Sequence, residues 1–172
     1  GGDYRLQSNS PCVNAGTNFP GMGLEVDLDG KPRVIGGHVD MGAYEYGEPT
    51  AFQLWLQGYG LATDGSADFE DPDKDRQNNW AEFRSRTNPT DPWSVFRLVG
   101  VRYATVGSNA GPVITWSSEA GCTYYLDRSG SLLTNDWPLL LDSIPATPPL
   151  NVHTDTTAVG NGPWFYRVGL EE

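Results

Sequence analysis

Apolar and polar positions alternate with period two through the C-terminal half of the chain. Trp164, Tyr166, Val168 and Leu170 fall on one side of an extended backbone, and Phe165 and Arg167 on the other. Cys122, Tyr124 and Leu126 oppose Thr123, Tyr125 and Asp127 in the same way. Strand-like runs recur at 94–104, 112–118, 122–129, 137–144, 150–156 and 163–170, separated by Gly, Pro, Asn and Ser. A spacing of roughly one strand per 12 residues predicts an antiparallel β-sandwich over 94–172.

Between 49 and 93 the period lengthens. Phe52, Trp55, Leu56 and Tyr59 stand at i, i+3, i+4 and i+7, which predicts a short helix over 51–59 with Gly58 and Gly60 favouring its end. A second helix is predicted over 79–86, with Trp80 and Phe83 on one face and Asn88-Pro89-Thr90-Asp91-Pro92 stopping it. Residues 1–48 show no helical period. Short apolar pieces (Tyr4–Leu6, Pro11–Val13, Pro32–Ile35, Val39–Tyr46) alternate with turns at Asp29-Gly30 and Gly36-Gly37. Such a segment cannot bury a core of its own size and reads as one or two rungs of something that stacks.

The linker between the two predicted helices carries the most definite chemistry in the chain. Asp71, Asp73 and Asp75 occupy positions 1, 3 and 5 of a twelve-residue loop, Gln77 position 7, Asn79 position 9 and Glu82 position 12. This is the ligand spacing of an EF-hand-type Ca2+ loop. Calcium takes about 6–8 oxygens, and carboxylates at alternate positions of a tight loop point those oxygens inward. Gln77 would give its backbone carbonyl, Asn79 a direct or water-mediated contact, and Glu82 both carboxylate oxygens. Position 6, usually Gly because the backbone turns sharply there, is Arg76. A left-handed non-glycine residue costs about 1 kcal/mol, and its charge lies near the ion, so affinity should fall. Asp64 and Asp68 lie just upstream as candidates for a second ion. A bound ion is expected to couple the two helices and stiffen the joint between the flanking segments.

Composition narrows the partners. The net charge of the 172 residues is −11, which argues against nucleic acid and against an anionic membrane surface. No apolar run approaches the ~20 residues of a membrane span. Gly and Pro, 21 and 13 residues, favour short strands and turns over long helices. No secretory leader stands at the N-terminus, which reads as a mature chain or a fragment. A calcium loop of low to moderate affinity fills permanently where calcium is millimolar, so the expected location is extracellular or the cell surface.

Four stretches carry a family resemblance in their order and spacing: Asp3-Tyr4-Arg5-Leu6, Ser10–Gly16, Asp27–Arg33 and Val39–Tyr46. They resemble the last coil of secreted bacterial right-handed parallel β-helix proteins, the pectate-lyase-like surface proteins. The resemblance implies that residues 1–48 are a terminal coil, that catalytic rungs of some relatives would lie upstream, and that no catalytic residue carries over. The acidic loop resembles those of dockerin-type and thrombospondin-type-3-like repeats. Residues 94–172 resemble, more loosely, a fibronectin-type-III-like module through strand count, Ile114-Thr115-Trp116 and Tyr166-Arg167-Val168. The expected fold is therefore mainly β: a terminal β-helix-like coil (1–48), a helix–calcium loop–helix joint (49–93) and a C-terminal antiparallel sandwich (94–172).

Other constellations are bland. Glu25, Asp27, Asp29, Asp40 and Glu45 read as turn-capping acids rather than a hydrolytic pair. His38 and His153 stand apart, and Cys12 and Cys122 read as isolated thiols, with one disulfide between them as the alternative. Tyr125 and Phe165, on the face opposite the expected core, are candidate glycan contacts. The function expected is non-enzymatic: a calcium-stabilised structural or assembly region of an extracellular bacterial protein. Its partners would be upstream rungs or further copies of itself, in the extreme a head-to-tail filament. The alternative is a carbohydrate-binding or adhesion module.

Overall fold

A computed structural model of the chain describes residues 2–106, 109–160 and 162–171. Its secondary structure is mainly β, with two short α-helices. The chain forms two compact units, one of Gly1–Phe83 with Pro89–Trp93, the other of Arg84–Asn88 with Ser94–Glu172.

In the first unit, residues 2–48 contain a single 3-10 turn at Met22–Leu24 and one isolated antiparallel bridge, Val26 to Pro32. The strand pieces expected at 4–6, 11–13, 32–35 and 39–46 do not form strands among the described residues. The physical reason lies in where the backbone hydrogen bonds go. Buried carboxylates take them in place of a neighbouring ladder. Asp27 accepts from the N–H groups of Asp29, Lys31 and Glu45, Asp40 from those of Asn14 and Tyr46, and Glu45 from that of Asp40. A small core of Met22, Val34 and Val39 lies within this scaffold.

Helix α1 spans Ala51–Gly58. A capping box starts it: Thr50 accepts from the Gln53 N–H while the Gln53 side chain accepts from the Thr50 N–H. Phe52 and Leu56 are buried, as the 3.6-residue period requires. The Gln53 amide nitrogen donates to the carbonyls of Val34 and Thr63, and that of Gln57 to Gly30. The bonds to Val34 and Gly30 dock α1 on the turn-rich segment before it, and the bond to Thr63 ties it to the chain that follows. Helix α2 spans Asn79–Ser85 and ends at Arg86, whose φ of 60° leaves the helical region. Phe52, Trp55, Trp80 and Phe83 form a ring cluster with centroids 5.0–5.9 Å apart, gathering the apolar faces of both helices.

In the second unit the strands are β1 (Leu98–Val106), β2 (Asn109–Ser117), β3 (Thr123–Ser129), β4 (Leu139–Pro145), β5 (Leu150–Thr154) and β6 (Phe165–Leu170). Each overlaps one of the runs picked out by period-two alternation. They form two three-stranded antiparallel sheets, β1-β2-β5 and β4-β3-β6. Ile114 and Trp116 of β2 share one buried cluster with Cys122, Tyr124 and Leu126, and Tyr166, Val168 and Leu170 of β6 pack against it. A single core fed from both sheets is a sandwich-like arrangement. Asp155 anchors it. This buried carboxylate accepts from Arg128, the Thr157 amide and hydroxyl, and the Tyr166 hydroxyl at 2.7–2.9 Å. Cys12 and Cys122 are free thiols.

Candidate metal centre

The loop between α1 and α2 is built by its own aspartates. Asp71 accepts the Lys74 N–H on one carboxylate oxygen at 2.8 Å and the Arg76 N–H on the other at 2.9 Å. Asp73 Oδ1 accepts from the Asp75 N–H, and Asp75 Oδ1 from the Gln77 N–H. Short acceptors bonding backbone a few residues ahead turn the chain back on itself. Two residues in the turn adopt left-handed conformations, Lys74 at φ 67° and Arg76 at φ 81°. Arg76 at position 6 thus stands in the conformation for which glycine is the usual residue. Lys74 was not foreseen, and only its place in an Asp-Lys-Asp turn hints at it.

The result is a cluster in which Asp71, Asp73 and Asp75 each bring a carboxylate oxygen within 4.8 Å of the others, a group able to hold a metal ion. Asp73 Oδ2 and Asp75 Oδ2 are buried and have no hydrogen-bond partner. Burial raises the Asp73 pKa, and the charges of Asp75 and Asp71 raise it further, against the lowering effect of the Asp75 amide. Asn79, the first residue of α2, is fully buried. Its N–H donates to Glu70 O and its side-chain nitrogen to Ala67 O at 2.7 Å, which leaves its buried Oδ1 with no partner. A buried polar oxygen without a donor costs on the order of 1–3 kcal/mol, so each of the three asks for a cation or a water. Gln77 follows in the loop. Glu82 is fully buried in the first turn of α2 and lies outside the 4.8 Å group of aspartates.

Asp64 and Asp68 line a separate cavity of about 340 Å³ with Gln53, Thr63 and Val34. Asp64 Oδ1 accepts from the Ser66 N–H and hydroxyl, and its carboxyl packs on the Gly23 backbone, where a Cβ would clash. Burial and then the Asp64 charge raise the Asp68 pKa. Among the described residues no third carboxylate, histidine or cysteine joins this pair.

Tyr125 and Phe165 are both half-buried on strands of the second sheet, on the side opposite the core residues Tyr124 and Tyr166. The Tyr125 ring lies over Gly169, its cross-strand partner, where any Cβ would overlap it. Phe165 pairs instead with Ser129, and the Asp127–Arg167 ion pair stands between the two aromatics along the sheet. Of the expected acids in the first unit, Asp27, Asp40 and Glu45 are buried. Glu45 forms an ion pair with Arg33 at 3.0 Å, yet burial outweighs it and pushes the Glu45 carboxyl up to about 7. Sequence reasoning grouped these acids but could not foresee their burial.

No family model, curated protein or solved structure matches the chain. No helix among the described residues is long and apolar enough to cross a membrane.

Proposed function

We propose that the 71–82 loop holds one calcium ion and that the chain is a non-catalytic, calcium-stabilised structural region of an extracellular or cell-surface protein. The observation that carries this reading is the pair of buried, partnerless oxygens on Asp73 and Asp75 within the three-aspartate cluster, with a third such oxygen on Asn79 where α2 begins. All-oxygen donors at irregular loop positions suit a hard cation of flexible coordination, which favours calcium over zinc or copper. Asp71, Asp73, Asp75 and Asn79 would supply side-chain oxygens and Gln77 its carbonyl, with Glu82 closing the shell from α2. The ion would fix the loop against the aromatic cluster of α1 and α2. The terminal-coil reading of residues 1–48, with upstream rungs or another copy as its neighbour, belongs to the same proposal. The experiment is thermal unfolding with and without a chelator. Chelation should lower the melting temperature by several degrees, and protease cutting between Leu61 and Asn88 should increase. Identical melting curves and digests would remove the basis for the reading.

A glycan-binding reading draws on one observation, the Tyr125 ring laid along the sheet surface over Gly169. Such a flat, half-buried aromatic suits stacking on a sugar ring. Binding on a glycan array that disappears in both Tyr125→Ala and Phe165→Ala would favour it over the structural role.

A further inference from the structure

We propose that the calcium loop is a static clamp rather than a switch: the segment 67–70 straps down the first turn of α2, so that taking up the ion leaves α2 where it stands against α1. This rests on the calcium reading of the 71–82 loop and concerns how that site behaves. Three features of the first unit carry it.

First, the two ends of the loop are tied by bonds that the ion does not need. The Asn79 side-chain nitrogen donates to Ala67 O at 2.7 Å, the Trp80 N–H to Asp68 O at 3.0 Å and the Asn79 N–H to Glu70 O at 2.9 Å. They join residues just before loop position 1 to those at positions 9 and 10. Every donor in this strap is a nitrogen, and the three acceptors are backbone carbonyls outside the loop. None of these atoms is an oxygen assigned to the ion. Ala67 and Asn79 are buried, where the low dielectric strengthens such bonds.

Second, α2 starts from within the loop. Asn78 accepts the Ala81 N–H on its side-chain oxygen at 2.9 Å and the Glu82 N–H on its carbonyl at 3.0 Å. The oxygens at positions 9 and 12 therefore ride on a helix whose first turn the strap holds. Inside the loop, Asp73 and Asp75 each give Oδ1 to a backbone N–H and keep Oδ2 buried without a partner. One oxygen of each builds the turn, and the other is left for the ion.

Third, aromatic rings hold α2 on α1. Trp80 stands edge-on to Phe52 with centroids 5.0 Å apart, and Phe83 lies 5.1 Å from Phe52 and 5.7 Å from Trp55. Calcium switches of helix–loop–helix form work by changing the angle between their helices and exposing an apolar groove. The same swing here would break the strap and pull Trp80 and Phe83 off the buried Phe52. A switch needs two arrangements close in free energy, and strap and rings both favour one.

The test is residue-resolved amide hydrogen exchange by NMR on the full chain, in chelator and again in calcium of about 10 mM, above the Kd of even weak sites of this kind. For Asn79 and Trp80, the exchange rates in the two conditions should agree within about threefold. The Asp75 and Gln77 amides, inside the loop, should slow about tenfold or more in calcium. The nuclear Overhauser contact between the Phe52 and Trp80 rings should be present in both conditions. A larger change at Asn79 or Trp80, or a ring contact seen only in calcium, overturns the clamp and makes the loop a switch, while the calcium reading stands. Calcium that leaves Asp75 and Gln77 unslowed removes the ion from the loop, and the clamp falls together with the calcium reading.

Discussion

The Arg76 N–H donates to Asp71 Oδ2 at 2.9 Å, so the residue at loop position 6 is held by the residue at position 1. Arg76 makes this bond at φ 81°, where a side chain is strained. Arg76→Gly should stabilise the protein by about 1 kcal/mol, a rise of roughly 2–4 °C in melting temperature for a chain of this size. Loss of the guanidinium charge should also strengthen calcium binding a few-fold. Calorimetric melting and calcium titration of the variant check both effects. A destabilised variant would mean the turn is not strained by its side chain.

Asn79 has two separable roles. Asn79→Ala loses the bond to Ala67 O and should cost about 1–3 kcal/mol without metal, together with much of the calcium response. Asn79→Asp keeps an oxygen for the ion but loses the donor to Ala67. It should be destabilised in chelator and recover in calcium more than Asn79→Ala does. Equal recovery of the two variants would show that the position-9 oxygen does not meet the ion.

The two units should respond to acid in opposite directions. Glu45 is held near 7 when folded, well above the ordinary glutamate value of about 4.3. The folded state therefore binds the proton more tightly. The stability this contributes is full below about pH 4.3 and is lost as pH rises through about 7. Asp155 is the reverse case. Burial pushes its carboxyl up, but bonds from Thr157, Arg128 and Tyr166 prevail and hold it below the usual value. Its contribution is present above the ordinary aspartate value and is lost as pH falls through the lower folded one. Local stability from hydrogen exchange between pH 5 and 8 should decline in the first unit, and Glu45→Gln should flatten the decline. Asp155→Asn should weaken the second unit at neutral pH, by about 1–3 kcal/mol, because the carboxylate is buried but its Arg128 partner is partly exposed. A first-unit profile unchanged by Glu45→Gln would assign the slope to another group.

Gly169 owes its identity to Tyr125. Gly169→Ala places a methyl in the ring's position and should cost about 1–3 kcal/mol. In a Tyr125→Ala background the same change should cost much less, a coupling that denaturant unfolding of the four proteins measures. Additive costs would show that the ring moves aside freely.

Local periodicity made most of these elements legible. Tyr124 and Leu126 face in and Tyr125 faces out because a strand has only two sides, and Phe52 and Leu56 are buried because a helix has one core stripe. The clustering of Asp71, Asp73 and Asp75 was legible for the same reason, since the loop is made by bonds between near neighbours. The Thr50-x-x-Gln53 capping box is equally local. What stayed hidden depends on distant chain. Asp27 and Asp40 look like surface acids until chain 18 and 26 residues away brings the Glu45 and Asn14 amides to them. Pieces such as Pro32–Ile35 have strand composition, but composition does not supply a neighbour to pair with.

Calcium titration into the chelated, full chain by isothermal calorimetry tests the central claim most directly. One saturable site should appear, with a dissociation constant between about micromolar and millimolar. It should vanish when Asp73 and Asp75 are both changed to Asn. A chain that takes up no calcium at several times that concentration, with its melting temperature unmoved, would contradict the account.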